Sequence, residues 1–359
     1  MKELNGVISH FLLKGTVSEV KPLGSGLIND SYLVTTAEAD QPDYVLQRIN
    51  HAIFTDVELL QRNIEAVTRH LRRKLEAEGV GDIQRRVLQF LSTDEGRTYH
   101  FDGTNYWRMS VFIADTLTID EVTPHSSYDA GKAFGRFEQQ LIDLPETLGE
   151  TIPDFHNMEL RIKQLSDAVS CDAAGRVADV GAELELIRKY SEEMCLAEQL
   201  HRQGLLPKRI CHCDTKVNNM LFDHDGNVLC VIDLDTVMPA YIFSDFGDFL
   251  RTAANTVAED SPELEKIDFR WDIFEAFSRG YLESTASFLT DVERDNLPFA
   301  VALFPMMQAV RFLADYLNGD TYYKINYPEH NLVRTRNQLR YFQRVMERRS
   351  DMEKLIRQL

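Results

Sequence analysis

Cysteine is scarce in this sequence, which excludes a small scaffold stabilised by disulfides. The 359 residues contain five cysteines, an odd number without framework spacing: Cys171, Cys195, Cys211, Cys213 and Cys230. Secreted domains that depend on disulfides carry paired cysteines at a much higher density. We therefore expect reduced thiols and a cytoplasmic protein.

Long apolar runs are missing as well, which argues against a membrane protein. Nowhere does the chain have about 18 consecutive apolar residues, the run expected of a helix that crosses a bilayer. The short apolar stretch Ile8–Leu13 is interrupted by His10 and follows Glu3, so it makes a poor signal peptide. The sequence predicts neither a membrane span nor a targeting segment.

Basic residues are few relative to acidic ones. Lys and Arg number 39 against 57 Asp and Glu, so the formal net charge is −18. Such a surface repels phosphate backbones and anionic lipids, and we expect no nucleic-acid or membrane partner. The composition is otherwise that of an ordinary globular protein, and the length favours two domains or one unit with two lobes.

The first hundred residues predict a small lobe of strands with one helix. Val57–Glu78 has apolar residues at helical spacing, among them Leu60 and Ile64. The flanking β-like runs are Val17–Leu23, Ser31–Thr36, Tyr44–Ile49, Gln84–Leu91 and Tyr106–Ile113. This order of strands, helix and strands is typical of an α+β unit.

After Asp115 the pattern becomes helical, apart from one hairpin. Helices are predicted over Ser127–Leu141, Leu160–Val169, Ala182–Gln203, Phe246–Val257, Ile273–Phe288, Pro298–Leu317 and Leu332–Leu355. Two apolar runs around a polar turn predict a β-hairpin over Met220–Asp235. We predict an α+β fold with a small β-rich lobe, residues 1–114, and a large mainly helical lobe, residues 115–359. The active site is expected between the lobes, because ligand pockets favour domain junctions.

The polar loop before this hairpin holds residues suited to phosphoryl transfer. Asp214 and Asn219 precede the first apolar run, and Asp233 follows the second. A tight hairpin brings Asn219 and Asp233 near each other, and their amide and carboxylate oxygens suit a hard cation such as Mg²⁺. Asp214 would then lie near the metal as a base for an acceptor hydroxyl.

This spacing, His-x-Asp-x4-Asn and then an Asp between hydrophobic residues, resembles the catalytic and metal motifs of one kinase group. The group contains the aminoglycoside phosphotransferases and choline kinases, which are protein-kinase-like enzymes that act on small molecules. The resemblance implies a bilobal protein-kinase-like fold with ATP and Mg²⁺ as cofactors. It makes residues 1–114 the nucleotide-binding lobe and residues 115–359 the catalytic and substrate-binding lobe. Asp214 becomes the base, and Asn219 and Asp233 become the magnesium ligands.

A second acidic motif, Asp245-Phe246-Gly247, spells the magnesium triplet of protein kinases. It lies much farther along the chain from Asp214 than Asp233 does, so we assign the metal to Asp233. We predict that Asp245 caps the following helix or braces the catalytic loop. Asp235 is interpreted as a polar strand end rather than as a further metal ligand.

A glycine-containing turn in the small lobe is the expected cover of the phosphates. Gly24, Ser25 and Gly26 join two predicted strands. Glycines let backbone N–H groups approach a phosphate closely. ATP is expected under this turn, with its adenine near Val111–Ile113.

The cation that kinases typically supply from the third strand is not where it is expected. The chain has Gln47 at the position of the usual lysine, with Arg48 beside it on the opposite face. Either Arg48 turns inward through a local irregularity, or Gln47 contacts phosphate as a neutral donor and Lys216 supplies the charge. Glu65, on the following helix, is the candidate partner of this cation, or else an exposed helix acid.

The C-terminal region resembles a narrower group within the same family. Two blocks, Arg311–Asp320 and Tyr327–Arg336, are similar to those of bacterial kinases that act on N-acetylhexosamines, and the similarity covers almost the whole chain. The resemblance implies phosphorylation of the anomeric hydroxyl of N-acetylglucosamine or N-acetylgalactosamine, which gives the 1-phosphate. It makes Arg311 and Tyr322 the sugar-binding side chains.

Two positions depart from that narrower group and leave the acceptor open. The group has His where this chain has Leu27 and Phe where it has Thr252, and both positions are expected near the sugar. Another acceptor on the same scaffold, such as homoserine, an amino alcohol or an aminoglycoside, is the nearest alternative. A catalytically dead kinase-like protein that binds nucleotide is a more distant one, supported by Gln47 alone.

Two further motifs have simpler interpretations. Cys211-x-Cys213 suggests a zinc site or a thiol-dependent hydrolase, but no second ligand pair at zinc spacing follows, so we expect buried thiols. The turn that begins at Asp223 resembles the start of a calcium loop. Leu234 occupies the position of the required final Glu, which favours a simple hairpin turn.

Overall fold

A computed structural model of the chain describes residues 2–24, 28–119 and 121–359, without the side chains of residues 2 and 3. The chain divides into two compact units. The first comprises Met1–Thr118, Gln140–Pro153 and Met220–Met238, and the second comprises Ile119–Gln139, Asp154–Asn219 and Pro239–Leu359. The lobe boundary between residues 114 and 115 stays a prediction.

The first unit contains a five-stranded antiparallel sheet with the order β1-β2-β3-β5-β4. Its strands are β1 (Val17–Pro22), β2 (Asp30–Thr36), β3 (Tyr44–Ile49), β4 (His100–Phe101) and β5 (Tyr106–Val111). The inward side chains of the central strands, among them Val34, Leu46 and Met109, are buried in one core cluster. Four of the five predicted strands are therefore confirmed.

The predicted strand over Gln84–Leu91 is wrong. A 3-10 turn occupies Ile83–Arg85, and among the described residues the segment pairs with the sheet through an isolated bridge from Phe90 to Ser110. The side chain of Arg85 donates instead to the carbonyls of Ala114 (3.1 Å) and Asp115 (2.9 Å). Leu91 donates to the carbonyl of Met109 at 2.8 Å and Gln89 accepts from Val111 at 2.9 Å, so this run meets β5 over one short bridge and does not form a full strand.

The first unit also holds two helices and the predicted hairpin. Helix α1 spans Lys2–Ile8, and α2 spans Val57–Ala77, where Asp56 caps the helix by accepting from Leu59 N at 2.9 Å. The hairpin consists of β7 (Met220–Phe222) and β8 (Val228–Val231). Asp223 closes its turn by accepting from the backbone of Asn227 at 2.9 Å, so the hairpin interpretation of this acidic motif is confirmed.

The second unit is mainly helical. Its helices are α3 (Pro124–Leu141), α4 (Met158–Cys171), α5 (Gly181–Met194), α6 (Leu196–Arg202), α7 (Phe243–Ala253), α8 (Trp271–Thr285), α9 (Asp291–Asp295), α10 (Leu297–Leu317), α11 (His330–Glu347) and α12 (Arg349–Gln358). Two short strands, β6 (Arg209–Cys211) and β9 (Met238–Ala240), pair with each other. The predicted helices exist, but two of them are each divided in two, at Cys195 and at Arg348. The predicted α+β composition is confirmed.

Helix α10 is apolar enough to cross a membrane by length and composition, yet it is the core helix of its unit. All but two of its 21 residues are buried. The exceptions are Gln308 and Arg311, which are three positions apart and therefore share one face of the helix. A mostly buried apolar helix is what the interior of a soluble domain requires, so α10 is weak support for a membrane span.

Two glycines let helices of this unit approach each other closely. A Cβ atom on Gly280 of α8 would lie 2.0 Å from the carbonyl oxygen of Tyr128 in α3. A Cβ atom on Gly247 of α7 would lie 2.5 Å from the carbonyl oxygen of Ala300 in α10. Because both neighbours are backbone atoms, only glycine fits at either position. Gly247 thus fixes α7, which carries Asp245, against the core helix.

Candidate active site

The loop that carries Asp214 is held by a buried carboxylate on α7. Asp245 is fully buried, and its two oxygens accept from the backbone N–H groups of His212 and Cys213, each at 2.7 Å. Its carbonyl accepts from the Thr215 hydroxyl at 2.8 Å. The predicted bracing role of Asp245 is confirmed. It lies inside the first turn of α7, which begins at Phe243, and so it is not the N-cap.

A second buried acid supports this carboxylate. The hydroxyl of Tyr281 donates to Glu138 at 2.7 Å, and burial together with the charge of Asp245 raises the pKa of Glu138 well above its usual range. Glu138, Cys211 and Asp245 offer ligand atoms within 4.8 Å of one another. Burial also raises the pKa values of Cys211 and Asp245. A thiol with a raised pKa stays protonated and is a poor metal ligand, and both Asp245 oxygens already accept backbone N–H groups, so we interpret this trio as part of the buried support of the loop rather than as a metal site.

The cysteines behave as predicted. All five are free, and Cys211, Cys213 and Cys230 are buried. Burial raises the pKa values of the Cys211 and Cys213 thiols well above the usual range. Since the thiolate is the reactive form, neither thiol is suited to act as a nucleophile.

Asp214 lies in a polar environment that favours its ionised form. Its carboxylate accepts from the side-chain nitrogen of Asn219 at 3.0 Å, and it forms an ion pair with Lys216 at 3.1 Å. Burial raises the pKa of Asp214, but the charges of Lys216 and His212 and these hydrogen bonds outweigh burial and lower it below its usual range. Asp214 is therefore a fixed, partly exposed carboxylate that is able to accept a hydrogen bond from a hydroxyl group.

The two predicted metal ligands lie at the ends of the hairpin strands. Asn219 directly precedes β7, and its side-chain nitrogen also donates to the carbonyl of Asp214 at 2.7 Å. Because that nitrogen points to Asp214, the amide oxygen points away from it. Asp233 follows β8 by two residues, and it has a left-handed backbone with φ 58°. Their common role as magnesium ligands stays a prediction.

Gly24 and Gln47 are two of the residues that the sequence predicts to bind the nucleotide. Gly24 has a positive φ of 68°, which favours glycine, whereas Ser25 and Gly26 lie outside the described residues. The side chain of Gln47 donates to the Ser31 hydroxyl at 3.1 Å. Their roles toward a phosphate stay predictions.

In the described part of the chain, Arg48 and Glu65, the predicted cation and its partner acid, have other partners and form no ion pair with each other. The pairing of β2, β3 and β5 runs regularly through Arg48, whose exposed side chain forms an ion pair with Asp30. This geometry favours the alternative in which Arg48 does not turn inward. Glu65 is half-buried and accepts from the hydroxyl of Thr98 at 2.5 Å.

One charged residue of this sheet was missed by the sequence analysis. Arg108 on β5 lies opposite Gln47 and donates to its side-chain oxygen at 2.9 Å. It also forms a buried ion pair with Asp235 at 2.5 Å. Asp235 was predicted to be a polar strand end, which is wrong: it lies in a 3-10 turn over Leu234–Thr236, because β8 already ends at Val231. A cross-strand neighbour has no fixed sequence spacing, so only the register reveals Arg108.

In the second unit the structure brings the two predicted sugar-binding residues together. The guanidinium carbon of Arg311 lies 5.9 Å from the ring centre of Tyr322 and 5.6 Å from that of Tyr323. Gln308 accepts from Arg311 at 3.1 Å. The carboxylate of Asp315 accepts from the backbone N–H groups of both tyrosines, at 2.8 and 3.0 Å, and so fixes the loop that carries them.

A second arginine adds positive charge to this region. Arg161 of α4 donates to the carbonyl of Phe155 at 2.6 Å, and the ring of Phe155 also lies 5.3 Å from the guanidinium carbon of Arg311. Burial and the charge of Arg311 lower the pKa of Arg161 to about 10, and the same causes lower the pKa of His156 well below its usual range. Within the described residues neither arginine forms an ion pair with a carboxylate. We call Phe155, Arg161, Arg311, Tyr322 and Tyr323 the arginine–aromatic cluster.

Thr252 is one of the two positions at which this chain differs from the kinases that act on N-acetylhexosamines. It lies on α7, and its hydroxyl donates to the carbonyl of Phe249 at 3.3 Å. The preceding Arg251 is buried and forms ion pairs with Asp248 at 3.1 Å and with Glu259 at 2.5 Å. Leu27, the other position that differs from that group, lies outside the described residues.

Comparison with known proteins connects this geometry to one family. A model of the phosphotransferase enzyme family (APH) matches residues 19–282, well over half of the chain. Among solved structures, a microcompartment-associated aminopropanol kinase is similar to this chain with a TM-score of 0.64 and 15% sequence identity, covering 98% of both chains.

Two further solved structures have the same fold. The amicoumacin kinase hAmiN, in complex with AMP-PNP, Ca²⁺ and Ami, is similar with a TM-score of 0.59 and 14% identity, covering 94% of this chain and 92% of that one. The choline kinase LicA from Streptococcus pneumoniae is similar with a TM-score of 0.52 and 16% identity, covering 98% of both. At these identities the similarity concerns the fold, and the predicted protein-kinase-like fold, with a small antiparallel sheet and a helical C-terminal part, is confirmed.

Proposed function

Because the chain belongs to the phosphotransferase enzyme family, we propose that it is an ATP- and Mg²⁺-dependent N-acetylhexosamine 1-kinase. Its acceptor would be the anomeric hydroxyl of N-acetylglucosamine or N-acetylgalactosamine, and its product the sugar 1-phosphate. The observation that carries the kinase chemistry is the fixed Asp214 carboxylate, which Lys216 and Asn219 hold in the loop that precedes the hairpin in the chain. No covalent intermediate on the protein is required.

The donor set of the hairpin ends fits a hard cation. The amide oxygen of Asn219 and the carboxylate of Asp233 are the ligand types that Mg²⁺ prefers, and these two side chains would hold the ion. When bound, Mg²⁺ neutralises charge on the β- and γ-phosphates. The glycine turn at Gly24 would cover the phosphates, and Lys216 would supply a cation near them.

Catalysis by the chain's own residues would consist of positioning and proton acceptance. Asp214 would orient the acceptor hydroxyl in line with the γ-phosphate and accept its proton as the new oxygen–phosphorus bond forms, while the bond from the γ-phosphorus to the bridging oxygen breaks and ADP leaves. Lys216 and Asn219 hold this carboxylate in one orientation, and Asp245 holds the backbone that carries it. Phosphoryl transfer needs little covalent chemistry from a protein, so fixed geometry supplies most of the rate.

The charge of the arginine–aromatic cluster supports an uncharged acceptor. Choline and aminopropanol carry an amine or ammonium group, which would be repelled by the charges of Arg161 and Arg311, since no described carboxylate forms an ion pair with either. A sugar with an acyl oxygen instead accepts hydrogen bonds from a guanidinium group and stacks on an aromatic ring such as Tyr322. The net charge of −18 favours a cationic acceptor, but it describes the whole chain and not this cluster.

We expect the acceptor preference to depend on Arg311. With Mg-ATP, the N-acetylhexosamines should give a higher kcat/KM than glucose, galactose, homoserine, choline or an aminoglycoside. Arg311→Met should lower kcat/KM for the sugar about 10- to 100-fold, mainly through KM, because hydrogen bonds to a charged group are lost. Steady-state measurement of ADP release across this panel checks both expectations.

The matched control for this variant is Arg357→Met, which removes an exposed arginine from α12 and should leave kcat/KM unchanged. Turnover on choline or an aminoglycoside, together with none on either N-acetylhexosamine, would contradict the proposed acceptor. A chain that is stabilised by nucleotide but produces no ADP with any acceptor would instead be the catalytically dead alternative.

The remaining parts of the proposal concern location and partners. Reduced cysteines and a soluble kinase-like fold support a cytoplasmic enzyme that binds ATP and a small-molecule sugar. We propose no nucleic-acid or membrane partner. The buried thiols of Cys211 and Cys213 do not support a thiol-dependent hydrolase.

A further inference from the structure

A row of polar side chains crosses the sheet of the first unit. Ser31 of β2 lies opposite Gln47 of β3, and Gln47 lies opposite Arg108 of β5. Directly opposed residues of neighbouring strands point to the same face, so the three side chains form a continuous row. Gln47 donates to Ser31 at 3.1 Å, and Arg108 donates through Nε to Gln47 at 2.9 Å.

The row ends in a buried ion pair. Nη1 of Arg108 lies 2.5 Å from Oδ1 of Asp235, and the two side chains are only 3% and 4% exposed. The ring of Phe90 lies 5.5 Å from the guanidinium carbon, and the hydroxyl of Thr151 donates to the carbonyl of Asp235 at 2.9 Å. Asp235 is therefore fixed both through its carboxylate and through its backbone.

The same carboxylate also holds the far end of the glycine turn. Asn29 donates to Oδ2 of Asp235 at 2.7 Å, and its side-chain oxygen accepts from the backbone of Asn50 at 2.9 Å. Asn29 follows Gly24 by five residues, and Asp235 follows Asp233 by two. Arg108 thus fixes two segments through the carboxylate of Asp235. One follows the glycine turn that is proposed to cover the phosphates, and the other follows Asp233, the proposed metal ligand.

We propose that Arg108 is a positioning residue for binding of the magnesium–nucleotide complex, and that it replaces from β5 the cation that kinases carry on β3. In kinases that lysine pairs with a helix glutamate. Here the β3 position holds the neutral Gln47, the helix acid Glu65 contacts Thr98, and the charge comes from the neighbouring strand. A buried ion pair is a poor device for stability alone, since well-packed apolar side chains often stabilise a core better.

This inference rests on one part of the proposed function, the binding of nucleotide and metal. It does not depend on which acceptor is phosphorylated. Arg108→Met should weaken the affinity for Mg-ADP about 10- to 100-fold, a range typical of losing an outer-shell partner, because the segments after Gly24 and Asp233 lose the anchor of Asp235. Arg108→Lys should recover part of this affinity, because it keeps a charge for Asp235. Isothermal titration calorimetry without an acceptor measures both affinities, and thermal unfolding of the nucleotide-free proteins reports their stability.

The matched control is Arg336→Met, which breaks a partly buried ion pair with Glu183 in the second unit. It should lower stability and leave the Mg-ADP affinity unchanged. A folded Arg108→Met protein that binds Mg-ADP within twofold of the unmodified chain would overturn the inference. If that variant does not fold, Arg108→Lys and Asp235→Asn take its place, and unchanged affinity in both would overturn it equally. If the unmodified chain itself does not bind Mg-ADP, the proposed kinase function fails. If the unmodified chain binds Mg-ADP and the variants bind it equally well, only the role of Arg108 fails, so the two results are distinguishable.

Discussion

Asp214→Asn should lower kcat by about 10²- to 10⁴-fold, the range that general-base residues contribute. The amide keeps the size of the side chain and one acceptor oxygen, but it cannot take the proton of the acceptor hydroxyl. The affinity for Mg-ADP should change little, because Asp214 is assigned to the acceptor and not to the nucleotide. Steady-state ADP release and calorimetry separate these two effects.

The control for this prediction is Asp225→Asn, the same chemical change at an exposed position in the hairpin turn. It should leave kcat unchanged. If Asp214→Asn retains more than about a tenth of the kcat of the unmodified chain, then Asp214 is not the base.

Asp245→Ala should destabilise the protein by about 3 to 5 kcal/mol and abolish activity, because two buried backbone N–H groups lose a charged acceptor. Each of these hydrogen bonds is 2.7 Å long, and the carboxylate is fully buried. The variant also releases the loop that positions Asp214. Equilibrium unfolding in urea, followed by circular dichroism, measures the loss.

Asp245→Asn is the milder comparison, since it keeps one acceptor oxygen for one of the two N–H groups. Asp167→Ala is the surface control: its ion pair with Lys163 is exposed and should contribute less than about 1 kcal/mol. A free energy of unfolding for Asp245→Ala within about 1 kcal/mol of the unmodified chain would show that the brace is dispensable.

Most of the fold was predictable because its signals are local. Alternation and helical spacing of apolar residues located Tyr44–Ile49 and the start of Val57–Ala77, since each element buries one regular face. The breaks at Cys195 and Arg348 were not predictable, because the apolar spacing continues across them. The strand predicted over Gln84–Leu91 is wrong for a similar reason. The side chain of Arg85 donates to the carbonyls of Ala114 and Asp115, which lie far along the chain.

The candidate site was predictable where a motif has fixed spacing. Asp214 and Asn219 lie five residues apart in one loop, and the structure joins them by hydrogen bonds. For Asp245 the sequence left two roles open, a helix cap or a brace, and the structure shows the brace. Arg108 and Arg161 carried no such signal, because each reaches its partners through packing of elements that are distant in sequence. Such residues are found only once register and helix contacts are known.

The product formed from Mg-ATP and N-acetylglucosamine or N-acetylgalactosamine identifies the activity of this enzyme. Phosphorus NMR of the reaction mixture, with coupling to the anomeric proton, locates the transferred phosphate. We expect a sugar 1-phosphate in a one-to-one ratio with ADP, and none with Asp214→Asn. Phosphate at another hydroxyl, or ADP formed without any sugar phosphate, would contradict it.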